Sequence, residues 1–133
     1  LKDRGKIEGS KGRKNGIQHS YWKSKIREKF ERDGYTVREE VPISSKGFNE
    51  CIDMVAEKGN EKIAIEIETG KNTYDQITQN IKKCLDAGYD KIHVMGTNNK
   101  VCQKIKEAII KNSLSSDPRI CILSVAMPTT YSK

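Results

Sequence analysis

Residues 51–71 read CIDMVAEKGNEKIAIEIETGK. Asp53 interrupts one apolar run, Glu66 and Glu68 interrupt the next, and Lys71 follows at once. The segments Cys51–Lys58 and Lys62–Thr69 have the composition of strands, and Gly59-Asn60 between them is a hairpin signal in its residue types. Residues two apart in a strand share a face, so Glu66 and Glu68 lie with Ala64 while Ile63, Ile65 and Ile67 fill the other side. Asp53, between Ile52 and Met54, faces away from its apolar neighbours. Asp53 is six residues back from Gly59 and Glu66 six on from Asn60, so antiparallel pairing brings the two level. Three carboxylates then meet on one patch.

Working outward, His19, Trp22, Ile26 and Phe30 recur at helical steps and predict a helix over 16–33, closed by Gly34. YTVREEV, residues 35–41, reads as a strand that Pro42 stops, and SSKGFNE reads as a loop. Past Gly70 the period changes. Ile77, Asn80, Ile81, Cys84 and Leu85 share one face of a helix over 73–87, with Gly88 as its stop. DKIHVMGT is a short buried strand, residues 99–112 a third helix, and RICILSVAM a last strand. The order α-β-β-β-α-β-α-β makes an α/β fold, with a mixed central sheet flanked by helices.

The 133 residues suit one domain, expected over 16–133. Hydrophobic residues are 35% and charged residues 32%, which fits a soluble chain with a modest core. No apolar run approaches the ~20 residues of a membrane-spanning helix, and the Lys-, Arg- and Gly-rich start has no signal-peptide core. The expected location is the cytoplasm. A first residue that is leucine suggests a piece cut from a longer protein.

The net charge of +7 is carried by the N-terminal quarter. Residues 1–32 hold 11 Lys/Arg against 4 Asp/Glu, and the remainder of the chain is balanced. Residues 1–15 read as a basic, Gly-rich arm: either a solvated linker, or a contact to a polyphosphate backbone through Lys11, Arg13 and Lys14. Cys51, Cys84, Cys102 and Cys121 show no C-x-x-C spacing and read as reduced, buried thiols rather than a zinc site or disulfide framework.

Three like charges so close cannot all stay ionised without a positive partner. A hard divalent cation meets that need, since Mg²⁺ takes one or two carboxylates with water and phosphate oxygens. The competing reading makes the acids the solvated half of an alternating strand.

Asp53 followed by Glu66-x-Glu68 over the order α-β-β-β-α-β resembles the PD-(D/E)XK phosphodiesterase superfamily, the restriction-endonuclease-like fold. The resemblance covers roughly residues 16–96. GIQHSYW, IDMVAEK, IAIEIETGK and ITQNIKKCLDAGYDKIHVM together are similar to endonuclease-like domains of archaeal and bacterial mobile elements. The resemblance implies a metal-dependent DNA endonuclease with Mg²⁺, or Mn²⁺ in its place, on Asp53, Glu66 and Glu68. Position 68 is lysine in most members and glutamate here, and Lys71, just past the strand end, is the nearest substitute. His19 and Asn80 break apolar stripes on helices expected near the acids, so each is a candidate to orient a water or phosphate oxygen. Glu28 and Glu31 rank lower because they lie off the stripe.

Lys23, Lys25, Arg27 and Lys29 on the first helix are expected to grip DNA without reading bases. A homodimer and an ATPase or other domain of a parent protein are further expected partners. The rival function is a DNA-binding or targeting module that no longer cuts. A nucleotide-binding domain is disfavoured, as no G-x-G-x-x-G or Walker spacing occurs.

Overall fold

The computed structural model describes residues 16–45 and 48–125. The basic arm over 1–15, and with it Lys11, Arg13 and Lys14, lies outside the described residues. Eight elements follow in the expected order: α1 (Gly16–Arg32), β1 (Thr36–Ser45), β2 (Phe48–Lys58), β3 (Glu61–Glu68), α2 (Tyr74–Asp86), β4 (Lys91–Gly96), α3 (Asn99–Lys111) and β5 (Ile120–Ser124). The strands form one mixed sheet in the order β1-β2-β3-β4-β5. The first three are antiparallel neighbours, whereas β3, β4 and β5 run parallel. Among the described residues no helix is long and apolar enough to cross a membrane.

Each face of the sheet has its own core. Ile26 and Phe30 of α1 pack with Val37, Met54, Ile63, Ile65 and Ile67 on one side. Ile77, Ile81 and Cys84 of α2, with Val101, Ile105 and Ile109 of α3, pack with Ile52, Val55, Ala64, Ile92 and Val94 on the other. Because helices cover both faces of β3, residues Ile63–Glu68 are buried without a break. Glu66 and Glu68 are therefore not the solvated half of an alternating strand.

The hairpin turns where its residue types predict. Lys58 pairs with Glu61 across Gly59-Asn60, and the register continues to Met54 opposite Ile65. Gly34 and Gly88 each follow a helix by two residues with φ of 96° and 92°, a region that costs a side-chain-bearing residue strain. The helix over 73–87 begins on a capping box: Thr73 accepts from the Gln76 N–H at 3.1 Å, and Gln76 accepts from the Thr73 N–H at 2.8 Å.

Three expectations need correction. Pro42 does not stop β1, which runs on to Ser45, and most of SSKGFNE is strand rather than loop. β1 is the sheet edge, where a residue without an N–H is tolerated. The last strand ends at Ser124, short of the expected RICILSVAM, whose final two residues lie outside the described residues. Of the four thiols only Cys84 and Cys102 are buried. Cys121 is exposed because it faces away from the α2–α3 core, on the side where α1 packs mainly on β1, β2 and β3.

Candidate active site

The regular face alternation breaks at one place. Ile52 belongs to the α2–α3 core and Met54 to the α1 core, although they are two residues apart. Val37 and Val41 divide between the two cores in the same way, with Glu40 between them at φ 51°. Glu40 stands across from Asp53, and the ladder skips this pair. On the other side of β2 the ladder stops at Met54, so β2 and β3 part at Asp53 and Glu66.

Side chains take over where the backbone bonds end. The Ile67 N–H donates to Asp53 Oδ2 at 2.9 Å, and the Asp53 N–H faces Glu66 Oε2 at 3.4 Å. Asp53 and Glu66 are thus opposite each other, as the count from the turn requires. The fork is a local device of the sequence, since an apolar residue at either position would leave these amides unpaired.

Helices from both faces reach this fork. From α1, His19, only 5% exposed, brings Nε2 to 3.2 Å from Asp53 Oδ2, where a ring N–H donates to the carboxylate. From α2, Asn80 donates to Glu68 Oε2 at 3.3 Å, and Asn72 of the preceding loop donates to Glu68 Oε1 at 2.8 Å. Lys83, one turn past Asn80, places Nζ 3.5 Å from Glu66 Oε2 and 3.4 Å from Asn80 Oδ1. The Cys84 thiol lies 3.9 Å from Glu66 Oε2. Asp53, Glu66, Glu68, His19 and Asn80 are accordingly one connected cluster, as expected from the sequence.

The cation of the cluster is not the expected one. Lys71 is exposed in the loop between β3 and α2, whereas Lys83 stands against Glu66. The signal for Lys83 was present in its position. It lies three residues after Asn80 and next to Cys84, beside the buried stripe of Ile77, Ile81 and Cys84.

Burial sets the electrostatics. Loss of water drives the Glu66 carboxyl well above the usual carboxylate range, the Asp53 charge pushes the same way, and Lys83 opposes both. Burial also raises Glu68, against the hydrogen bonds from Asn72 and Asn80. Burial by itself would lower Lys83, but the attraction of Glu66 and Asp53 leaves it raised. Burial pushes the Cys84 thiol up, so it stays protonated.

Among the described residues no three His, Cys, Asp or Glu side chains close into a metal shell as they stand. The donor chemistry nevertheless fits a hard cation. Asp53 and Glu66 are neighbouring carboxylates, with Glu66 raised by burial and then by the Asp53 charge, and Mg²⁺ needs only one or two such groups, with water completing its shell.

The expected DNA grip along α1 is largely spent on ion pairs. Lys23 binds Glu40, and Arg27 binds Glu31 at 2.9 Å and Glu39 at 2.7 Å. Lys29 pairs with Asp33 at 3.8 Å, and Lys25 lies over the Tyr21 ring. Glu28 is exposed, and Glu31 is held by Arg27, so neither joins the acids.

No family model and no curated protein matches the chain. Among solved structures it is similar to the crystal structure of a protein of unknown function, AF1548, with a TM-score of 0.59 over 81% of this chain at 16% identity. The chain spans 59% of that protein's length. At this identity the likeness concerns the fold, an α/β unit with a five-stranded mixed sheet between helices.

Proposed function

We propose that the chain is a metal-dependent endonuclease that hydrolyses DNA phosphodiester bonds, built on a restriction-endonuclease-like core. The observation that carries this reading is the fork itself: three carboxylates, Asp53, Glu66 and Glu68, where β2 and β3 part, with Lys83 against the middle one. Buried like charges are costly to keep, and a structural core has no use for them.

Asp53 and Glu66, with Glu68, would hold Mg²⁺ or Mn²⁺. Such an ion, when bound, supplies the acidity that makes water a nucleophile near neutral pH and charge that offsets the phosphate. The chain's own side chains do the rest. His19 and the Ile67 N–H fix the Asp53 carboxylate, so its orientation is set before substrate arrives. Asn72 and Asn80 hold both oxygens of Glu68 in the same manner. Lys83 keeps a positive charge beside Glu66, and such a charge would offset the negative charge that grows as water attacks phosphorus. In this reading Lys83 takes the part of the lysine that position 68 lacks.

Glutamate at position 68 also favours a second reading, a nuclease-fold module that binds DNA and does not cut. Incubation with supercoiled, linear, single-stranded and branched DNA, in Mg²⁺, Mn²⁺ or EDTA, separates the two. Breakage confined to the metal-containing samples, and lost in Glu66→Ala, is the expected result. Intact DNA in every sample would leave the binding module.

A further inference from the structure

We propose that the DNA backbone is held at the start of α3 by Lys71, Lys100 and Lys104, beside the acids, and not along α1. The inference rests on the nuclease reading and names the surface through which that site takes its substrate.

The topology brings this surface to the acids. β3 and β4 are parallel, so the strand that ends in Glu68 and the strand that leads into α3 finish at the same edge. The Thr97 N–H donates to the Glu68 carbonyl at 3.2 Å, which ties the approach to α3 directly to the acid-bearing strand. Crevices outside the carboxyl ends of parallel strands are where open α/β sheets take ligands. The loop after β3 closes over the same point. Lys104 donates to the Gly70 carbonyl at 3.2 Å, and a Cβ on Gly70 would sit 3.2 Å from Val101.

The chemistry suits a phosphate. The first turn of α3 carries no acid, and the Asn98 side chain satisfies the Val101 N–H, leaving the N–H groups of Asn99 and Lys100 without helical partners. Thr97, just before that cap, is 5% exposed, and its hydroxyl is buried with no partner. A buried hydroxyl without a partner is uncommon. Among the described residues neither Lys71, Lys100 nor Lys104 pairs with a carboxylate, in contrast to Lys23 and Arg27 on α1. Glu107, the acid one turn further along α3, is engaged by Tyr74 and Gln103.

The test is binding of a fluorescein-labelled DNA duplex, read by anisotropy in EDTA over a range of salt, so that no cutting intervenes. Replacing Lys71, Lys100 and Lys104 together by glutamine should flatten the slope of log affinity against log salt by about two to three units. Lys23→Gln with Arg27→Gln should leave the slope where it was. The lysines exchanged at the α3 surface lie at or near the surface, so thermal melting should show all variants folded. An unchanged slope in the triple variant, a flattened slope in the α1 pair, or no salt-dependent binding by the wild type would each overturn the proposal. If the wild type cuts DNA and the triple variant keeps its slope, only this surface is wrong. If the slope flattens and nothing is cut, only the nuclease reading is.

Discussion

Lys83 Nζ stands 3.5 Å from Glu66 Oε2, with the lysine side chain 16% exposed and the glutamate 3%. Neither charge would be stable there alone. Burial pulls the two groups toward their neutral forms, and each restrains the other from going there. A cation held this way is already oriented when substrate arrives.

Lys83→Gln should therefore slow cleavage at saturating DNA about a hundredfold, near the ~3 kcal/mol typical of a preorganised charge. DNA affinity in EDTA should stay close to wild type. Single-turnover rates against a duplex substrate make the comparison, with Lys71→Gln as the partner variant. A Lys71→Gln rate near wild type at saturation and a slow Lys83→Gln rate are expected together. The reverse order would restore the lysine first expected from the sequence.

Metal should be visible in stability without any DNA. Mg²⁺ or Mn²⁺ that binds only the folded chain raises the melting temperature by mass action, by about 2.7 kcal/mol of stability at a hundred times its dissociation constant. Differential scanning fluorimetry with each metal and with EDTA measures this. The rise should be absent in Asp53→Ala, and an equal rise in both proteins would move the metal elsewhere.

His93 supplies a pH dependence of definite sign. Burial, helped by the charge of Lys91, holds its imidazole below the usual range, so the unfolded chain takes up the proton more readily. The stability this gives is fully present above the unfolded value, about 6.5, and is lost as pH falls from there through the lowered folded value. Between pH 7.5 and 5 the wild type should lose melting temperature more steeply than His93→Gln. Parallel curves would show that His93 does not titrate on unfolding.

Gly96 closes β4 against the first turn of α3. A Cβ there would meet Cys102 Sγ at 2.6 Å and the Cys102 backbone nitrogen at 3.0 Å, so backbone as well as side chain must give way. Gly96→Ala should cost about 1–3 kcal/mol in denaturant unfolding. Cys102→Ala in the same chain should recover only part of it, because the backbone contact remains.

Much of the sheet was legible in residue order. Gly59-Asn60 placed the turn, and from the turn the pairing of residues 53 and 66 followed by counting. Helical stripes located His19 and Asn80 because a polar residue on an apolar face stands out. Lys83 did not stand out. A lysine on a surface helix reads as solvated, and Lys83 is turned toward β3 by the packing of Ile81 and Cys84 beside it. The ion pairs of Lys23 and Arg27 were hidden for a related reason. Apart from Glu31, an i,i+4 neighbour of Arg27, their partners Glu39 and Glu40 come from a strand whose change of face at Glu40 has no signature in a period-2 pattern. The continuation of β1 through Pro42 was likewise invisible, because an edge position is a property of the assembled sheet.

The bond from the Ile67 amide to Asp53 gives the molecule a built-in reporter. Along the ladder from Met54 and Ile65 to the turn, backbone protons are shared with backbone oxygens and respond to the sheet. At Ile67 the proton is shared with a carboxylate that belongs to the reactive cluster. Whatever draws that carboxylate aside lengthens this one bond, and the resonance and solvent exchange of a single amide register it. Isotope-labelled protein would then show the engagement of Asp53 at a nucleus that takes no part in chemistry, with no probe attached and no residue changed.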